Sequence, residues 1–205
     1  MTRYAMAIDT KRCFGCQTCS VACKMSNNLP KGLRRNHIIT SGDTRTDCGG
    51  GVYPDVDMKF IPLTCQHCAK PACVDVCPTG ASFQTEDGVV QINTEECIGC
   101  KACVAACPYD VRHLIEGEPE FYLDFATGDG MEPTHLAGTI DKCNLCYQRI
   151  TAGGVPACME LCPGRARFWG DLDDPESEIS KAIEGRETMK WLESEGTEPS
   201  TLYLV

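Results

Sequence analysis

Residues 97–108, CIGCKACVAACP, decide the fold of this 205-residue chain. Their four cysteines follow the spacing C-x2-C-x2-C-x3-C, which suits thiolate ligation of cubane iron–sulfur clusters. Three thiolates on a tight loop can wrap three corners of one cluster, whereas the fourth, on a helix that is just starting, points away toward a different cluster. The proline after the fourth cysteine removes a backbone donor and biases the chain away from regular helix.

Three further groups of four cysteines repeat this pattern. Residues 13–23, CFGCQTCSVAC, keep the bacterial ferredoxin spacing unchanged, residues 65–77 widen one gap to four residues, and residues 143–162 widen the second gap to eleven. All four groups end in C-x3-C. Proline follows the fourth cysteine in every group except the first, where Lys24 takes that place, a departure that affects geometry and not the number of ligands.

This pattern excludes several other uses of cysteine. The chain is long for a disulfide-stapled fold, and its cysteines lie in tight C-x2-C groups. A zinc ribbon has no use for a repeated fourth cysteine, and a catalytic thiol pair needs one exposed C-x2-C and not four. Sixteen of the 17 cysteines belong to the groups. The remaining one, Cys48, lacks partners at metal spacing, so we interpret it as a spare loop thiol; metal ligation and a disulfide are the alternatives.

Because each fourth cysteine serves another cluster, the groups must work in pairs. The residues between Cys77 and Cys97 contain ASFQT, the turn EDG and VVQIN, which predict a short hairpin that links the second and third groups. The first and fourth groups then pair across the chain, with AMAID before Cys13 and ARFWG after Cys162 as matching strands. Sequential pairing, one with two and three with four, is the competing layout.

The interleaved pairing predicts four ligand sets, each with three cysteines of one group and the fourth cysteine of its partner group. We name them quartet A (Cys13, Cys16, Cys19 and Cys162), quartet B (Cys143, Cys146, Cys158 and Cys23), quartet C (Cys65, Cys68, Cys73 and Cys107) and quartet D (Cys97, Cys100, Cys103 and Cys77). Each is expected to bind the iron of one [4Fe–4S] cluster. No catalytic residue is predicted in the chain.

The predicted fold is α+β, with two pseudo-symmetric ferredoxin-like dicluster units and loop insertions. The predicted boundaries are residues 1–24 with 141–170 for an outer unit, 25–61 for an insertion, 62–113 for an inner unit, 114–140 for a second insertion, and 171–205 for an acidic C-terminal tail. In that tail we predict a short helix, capped by Asp174, with Pro175 at its first position and Gly185 at its end. The final TLYLV indicates a short strand or extended arm.

Charge and hydropathy exclude two classes of partner. The net charge of −10 argues against nucleic-acid binding. Acidic residues are concentrated in the tail, which suits either docking to a basic groove on a partner or simple solubility. No stretch approaches the roughly eighteen apolar residues of a membrane span. The opening MTRYAMAIDTKRC has no basic region followed by an apolar core, so we expect neither direct membrane insertion nor a signal of the chain's own.

Several side chains inside or beside the motifs are candidates for tuning cluster potentials through charge and hydrogen bonds, with ordinary loop roles as the alternative. They are Gln66, His67, Lys101, Arg112 and Asn144. Outside the motifs, His37 and His135 are isolated and are predicted to lie at the surface. Arg34 and Arg35 are interpreted as a solvated basic loop or as a contact with a partner.

The order of the groups, the wide fourth group and the strings TCQHCAKPACVDVCPTGA, ECIGCKACVAACPYDVR and KCNLCYQRI resemble the iron–sulfur electron-transfer (beta) subunits of the dimethyl sulfoxide reductase family of molybdopterin oxidoreductases. The stretch GDLDDPESEIS is similar to the arsenate, tetrathionate and polysulfide reductase branches. The resemblance implies a subunit that is not an enzyme by itself. Some relatives lose a cysteine of the third group and hold a [3Fe–4S] cluster, whereas all four are present here, which implies four [4Fe–4S] clusters.

The same resemblance implies partners. The clusters would relay single electrons between a large molybdopterin-containing catalytic subunit, with molybdenum or tungsten, and a membrane anchor that exchanges electrons with quinone, or a soluble donor. The complex would be membrane-associated, either cytoplasmic or exported folded with a partner that bears a twin-arginine signal. A free-standing polyferredoxin and a zinc-binding interaction module are the alternative functions.

Overall fold

The computed structural model describes residues 2–40, 49–128, 130 and 134–205. Within them the chain has both helices and strands, so the predicted α+β class is confirmed. The helices are α1 (Thr18–Ser26), α2 (Ala72–Asp75), α3 (Ala102–Ala105), α4 (Tyr147–Thr151), α5 (Ala157–Glu160) and α6 (Glu178–Ile183). The strands are β1 (Tyr4–Asp9), β2 (Asn36–Thr40), β3 (Gly50–Val52), β4 (Asp55–Asp57), β5 (Phe60–Thr64), β6 (Ser82–Gln84), β7 (Val90–Ile92), β8 (His113–Leu114), β9 (Ile140–Asp141), β10 (Arg167–Asp171), β11 (Thr188–Met189) and β12 (Thr201–Leu204).

The largest sheet among the described residues has the strand order β10-β1-β12-β11. The strand before the first cysteine group, β1, pairs antiparallel with β10, which follows the fourth group, so the two strands predicted to match do pair. Successive side chains of a strand point to opposite faces. Met6 and Ile8 of β1 therefore lie in one buried cluster, while Ala5 and Ala7 lie in another beneath α6.

The segment predicted as an acidic tail supplies an inner strand of this sheet. Strand β12 pairs parallel with β1 and antiparallel with β11. The side chains of Tyr203 and Leu204 are fully buried, and the Tyr203 hydroxyl donates to the carbonyl of Pro62 at 3.0 Å. Full burial of one such side chain stabilises a fold by about 1.5–3 kcal/mol. The final residues are thus part of the core architecture and not an extended arm.

The helix predicted near residue 174 is present, but the prediction of its start was wrong. Helix α6 is capped by Ser177, whose hydroxyl accepts the backbone N–H of Ser180 at 3.2 Å. Asp174 instead accepts the N–H of Glu176 at 2.9 Å and closes a turn before the helix. Both residue types compete for such local bonds, and only the structure decides which one caps. Gly185, with φ of 65°, follows the helix end as predicted.

The predicted hairpin between the second and third cysteine groups is confirmed. Strands β6 and β7 pair antiparallel, from Ser82 opposite Ile92 to Gln84 opposite Val90. The hydroxyl of Thr85 accepts the N–H of Val89 at 3.0 Å and holds the turn, in which Gly88 takes a φ of 85° that glycine adopts at little cost.

The region predicted as the first insertion is anchored to the rest of the fold. Strand β2 pairs antiparallel with β5 along its whole length, and β5 crosses the predicted boundary between residues 61 and 62. One buried cluster joins Ile8, Ile61, Val89 and Leu145, so segments of the predicted outer and inner units share a core. Cys48 lies outside the described residues. Among those residues, no helix is long and apolar enough to cross a membrane.

Candidate iron–sulfur cluster sites

Three cavities are each lined by four cysteines. Their empty volumes, which include the mouth that is open to solvent, are similar at about 330 Å³, 340 Å³ and 340 Å³. One contains quartet A, the second quartet C and the third quartet D. In each cavity, three cysteines come from one sequence group and the fourth comes from another. Residues far apart in the sequence therefore meet around a common space.

The cysteines of quartet B also lie close together, in a more deeply buried position. Burial raises the pKa of the Cys23 thiol well above its ordinary value, and the proximity of Cys143, Cys146 and Cys158 raises it further. Such an influence requires these three thiols to lie near Cys23. The structure thus brings together Cys23, from the first group, with three cysteines of the fourth group.

The four cysteine groups share one backbone feature. The residue just before the second cysteine has a positive φ in every group: 73° at Gly15, 42° at His67, 62° at Gly99 and 58° at Leu145. This left-handed conformation turns the loop sharply, so that the first two cysteines can face the same space. Glycine adopts it freely at two of the positions, whereas His67 and Leu145 must be held in it by their surroundings.

A short helix follows each loop and carries the third cysteine. These helices are α1, α2, α3 and α5, and the fourth cysteine comes just after the helix end in the three shortest of them. Helix α1 contacts α5, and α2 contacts α3. Because the third and fourth cysteines lie on the helix or directly after it, contact between two helices brings the fourth cysteine of each group toward the other group's loop.

We expect Gly99→Ala to disrupt quartet D. A Cβ at residue 99 would overlap the backbone carbonyl oxygen of Gly138, which no side-chain rotation can relieve, and the φ of 62° disfavours alanine. Gly80→Ala is the matched control, because Gly80 has a similar φ of 73° but nothing within 4 Å of the added atom. The control should cost about 1–2 kcal/mol and retain its iron. Iron analysis of both variants after anaerobic purification measures the difference; equal iron in both would contradict the prediction.

The donor set around the cavities fits iron–sulfur clusters. Burial raises the pKa of Cys68 and of Cys158 to about 11, so these thiols need a neighbouring positive charge to ionise, which iron supplies. Backbone N–H groups point at cysteine sulfur: those of Ser82, Leu145 and Ala166 donate to Cys77, Cys143 and Cys162 at 3.3–3.4 Å. Hydrogen bonds to sulfur are among the features that tune such clusters.

The cysteines line cavities and do not converge on a single point. Among the described residues, no group of three or more His, Cys, Asp or Glu side chains is placed to hold a single metal ion. A tetrahedral zinc site needs four ligand atoms within about 2.3 Å of one position. Four sulfurs that surround a cavity match a larger metal group better.

The predicted tuning residues lie in different environments. Gln66 and His67 are buried, and the Nδ1 atom of His67 accepts the N–H of Val90 at 3.1 Å. Asn144 accepts the N–H of Cys146 at 3.0 Å. Lys101 is exposed, with its ammonium 3.9 Å from Glu116. Arg112 contacts a predicted ligand sulfur: its Nη2 donates to Cys73 at 2.8 Å.

Sequence reasoning missed Arg167. This arginine is buried, and its Nη1 lies 3.7 Å from the sulfur of Cys158. A positional signal was available, since Arg167 follows Cys162 by the same number of residues as Arg112 follows Cys107.

The surface predictions for His135 and Arg35 were wrong. His135 and Arg35 are both buried. They lie beside Asp141, which is distant from Arg35 in the sequence. Arg35 donates to both carboxylate oxygens of Asp141 at 2.7 Å, and the Nδ1 atom of His135 lies 3.3 Å from the same carboxylate. The cost of burying these charges is offset because opposite charges pair. His37 is half-buried, and Arg34 is exposed as predicted.

Comparisons with known proteins agree with this arrangement. A family model described as a 4Fe-4S dicluster domain matches residues 56–118 and 131–172, and one described as a 4Fe-4S binding domain matches residues 10–26. A Halobacterium salinarum protein, named provisionally as an iron–sulfur subunit of dimethyl sulfoxide reductase, is 42% identical over 100% of this chain and 79% of its own length.

Two further relatives come from other reductases. A tetrathionate reductase subunit of Salmonella typhimurium is 40% identical and covers 98% of this chain and 72% of its own length. The arsenate respiratory reductase iron–sulfur subunit ArrB of Shewanella sp. is 35% identical and covers 98% of this chain and 96% of its own length. The similarity thus extends over the whole chain, and the relatives are named for reductases of different substrates.

Proposed function

We propose a function from the following premise: this chain belongs to the family of iron–sulfur electron-transfer subunits of dimethyl sulfoxide reductase-type molybdopterin oxidoreductases. In our proposal it holds four [4Fe–4S] clusters and relays single electrons for a catalytic partner. The observation that carries the proposal is that three cavities are each lined by four cysteines from two sequence groups, while Cys23 lies near the remaining three cysteines.

In this proposal each quartet ligates one cluster, so the outer unit holds the clusters of quartets A and B and the inner unit those of C and D. The shared cavities of quartets A, C and D support it directly. The contacts of α1 with α5 and of α2 with α3 support the assignment of residues 1–24 with 141–170 to one unit and of residues 62–113 to the other.

The four sites would form a row in the order A, B, C, D. Arg167 lines the cavity of quartet A and lies 3.7 Å from the sulfur of Cys158 in quartet B. Cys143 of quartet B packs against the buried cluster that contains Cys65 of quartet C. Quartets C and D are both lined by Arg112. Consecutive members of the row therefore share neighbouring side chains.

Electrons would enter and leave at the two ends of this row. Quartets A and D each include an exposed cysteine, Cys16 and Cys100, whereas quartet B includes none. An exposed apolar side chain stands next to the first cysteine of each end group: Phe14 is 57% and Ile98 is 66% exposed. Apolar surface around a partly open site suits burial against another protein.

Bound [4Fe–4S] clusters supply one-electron redox chemistry. The chain's own residues do the rest. They would hold the clusters through cysteine, enclose quartet B most deeply, and present N–H groups to sulfur. In this proposal the chain acts as a relay, and the chemistry on substrate takes place in a molybdopterin-containing subunit.

The partners we propose are that large catalytic subunit, with a molybdenum or tungsten bis-pterin guanine dinucleotide, and a membrane anchor or soluble donor at the opposite end. The complex would be membrane-associated, on the cytoplasmic side or exported folded with a partner that bears a twin-arginine signal. Because the relatives are named for different substrates, we propose that the catalytic partner determines the substrate class.

Anaerobic purification of the native protein tests the proposal. We expect about sixteen iron and sixteen sulfide per chain, together with a large chain that contains molybdenum or tungsten. Zinc without sulfide would support an interaction module instead. A stable lone subunit with four clusters and no catalytic chain would support a free-standing polyferredoxin and contradict the proposed partnership.

A further inference from the structure

Two buried arginines occupy equivalent positions after the third and fourth cysteine groups. Arg112 lies five residues after Cys107, and Arg167 lies five residues after Cys162; both of these cysteines are the fourth members of their groups. The arginine side chains are only 2% and 3% exposed. Arginine is rarely buried this completely unless its charge is balanced.

Arg112 lies between quartets C and D. Its guanidinium lines both cavities. The Nη2 atom donates to the sulfur of Cys73, in quartet C, at 2.8 Å and to the hydroxyl of Ser82 at 2.9 Å. The Arg112 side chain also lines the cavity of quartet D together with Cys103. One cation therefore faces the third cysteine of both groups.

Arg167 has the same relation to quartets A and B. Its Nη1 atom donates toward the sulfur of Cys158, in quartet B, at 3.7 Å, and its side chain lines the cavity of quartet A together with Cys19. Its Nη2 atom donates to the side-chain oxygen of Asn36 at 2.9 Å. Again the two cysteines are the third members of their groups, so the arrangement around Arg112 is repeated.

Sulfur is the main source of negative charge near either guanidinium. Across the described ranges, no carboxylate forms an ion pair with Arg112 or Arg167; their other hydrogen-bond acceptors are neutral. Burial lowers the pKa of Arg112, yet the thiols of Cys73, Cys65 and Cys103 raise it above its ordinary value. The Nη1 atom of Arg112 is buried and has no hydrogen-bond partner among the described residues, which leaves a donor available to a group in the adjoining cavities.

We propose that Arg112 and Arg167 are shared cations, each placed between two clusters and each raising the reduction potentials of both. The inference rests on the proposed four-cluster function. Reduction adds negative charge to a cluster, and a nearby cation or hydrogen-bond donor stabilises the reduced state. Because one guanidinium acts on two neighbouring clusters, it raises both reduction potentials together. The difference between the two potentials therefore changes little.

Redox titration of the purified full-length protein, followed by electron paramagnetic resonance, tests the inference. In Arg112→Gln, two of the four potentials should fall, and in Arg167→Gln the other two should fall. The double variant should lower all four. We expect the ratio of reduced to oxidised cluster at a fixed solution potential to fall on the order of tenfold, which corresponds to about 59 mV for one electron.

Matched controls separate this effect from loss of surface charge. Arg165→Gln removes an exposed arginine two residues from Arg167, and Lys70→Gln removes an exposed lysine of the second cysteine group that pairs with Glu198 at the surface. Neither should shift any potential by as much as the buried variants. Arg112→Lys and Arg167→Lys keep the charge and should restore most of the lost potential in the same two clusters.

The outcomes distinguish the inference from the proposed function. Fewer than four clusters in the unmodified protein would contradict the proposed function. Four clusters in the unmodified protein, with a shift in one cluster or none in Arg112→Gln, would overturn the inference alone. If a glutamine variant does not assemble its clusters, the apolar variant Arg112→Met or Arg167→Met takes its place, because it also removes the charge while filling the buried space: a fall shared by two clusters supports the inference, whereas a fall confined to one cluster, or no fall, overturns it.

Discussion

Replacing Cys162 by alanine should remove the same cluster as replacing Cys16 by alanine, although the two cysteines belong to the fourth and first sequence groups. Both residues line the cavity of quartet A. A cubane that loses one thiolate ligand is expected to fall out or to lose iron, so iron should drop from about sixteen to about twelve per chain in either variant. The same electron paramagnetic resonance signal should vanish in both.

Cys158→Ala is the matched control, because Cys158 belongs to the same sequence group as Cys162 but lies beside Cys23 and Cys143. It should remove a different signal. Under sequential pairing, Cys162→Ala would instead remove the same cluster as Cys100→Ala, and that result would sink the interleaved assignment. Cys48→Ala should leave the iron content unchanged if Cys48 is a spare thiol.

Replacing Asp141 by asparagine should lower the free energy of unfolding by about 3–5 kcal/mol, because it leaves the guanidinium of Arg35 buried without its carboxylate. In a domain of this size that corresponds to a fall of roughly 6–20 °C in the thermal midpoint. Glu120→Gln is the control, since it breaks an exposed ion pair with Lys31 and should cost at most about 1 kcal/mol. Thermal unfolding of the cluster-loaded protein under anaerobic conditions gives both values; equal losses would contradict the prediction.

The same group of charges predicts a pH dependence. The Arg35 guanidinium outweighs burial and holds the pKa of Asp141 well below its ordinary value, so this carboxylate's contribution is present above about pH 4 and is lost only in stronger acid. Burial lowers the pKa of His135, but Asp141 and the Asn27 carbonyl raise it above 6.5 overall. The contribution of His135 is therefore complete below pH 6.5 and is lost as pH rises through the higher folded pKa.

The stability difference between the unmodified protein and His135→Asn should accordingly shrink as pH rises from below 6.5 through the raised folded pKa of His135. The comparison of the two proteins is needed because buried His67 has a lowered pKa, so its contribution to stability changes with pH in the opposite direction. That contribution is present in both proteins and cancels in the difference. Thermal midpoints at several pH values measure it. A difference that stays constant over this range would contradict a charged His135 in the folded state.

Local patterns were the most predictable part of this protein. The cysteine spacings identified the four loops, and the EDG turn identified the β6–β7 hairpin, because both depend on residues a few positions apart. The choice of Ser177 over Asp174 as the helix cap was not predictable, since either side chain can bond a nearby N–H. The sequence indicated a final strand but could not show that β12 lies between β1 and β11.

Contacts across long sequence separations were the least predictable. Arg35 and Asp141 are 106 positions apart, and nothing near either residue in the sequence indicates the other. Arg112 was identified as a tuning candidate because it adjoins a cysteine group, whereas Arg167 was overlooked in a less regular one. Their equivalence becomes visible only when both guanidinium groups are seen beside the third cysteines of two groups.

The meeting of Cys13, Cys16 and Cys19 with Cys162 has a consequence for protein synthesis. At 5–20 residues per second, a ribosome needs on the order of 10–30 s to make the roughly 140 residues between Cys19 and Cys162. During that interval the first three thiols have no fourth partner, and β1 has neither of its neighbouring strands. A premature disulfide among these thiols would block the quartet A site until the disulfide is reduced. Nascent chains should therefore need a reducing environment until translation has passed residue 162.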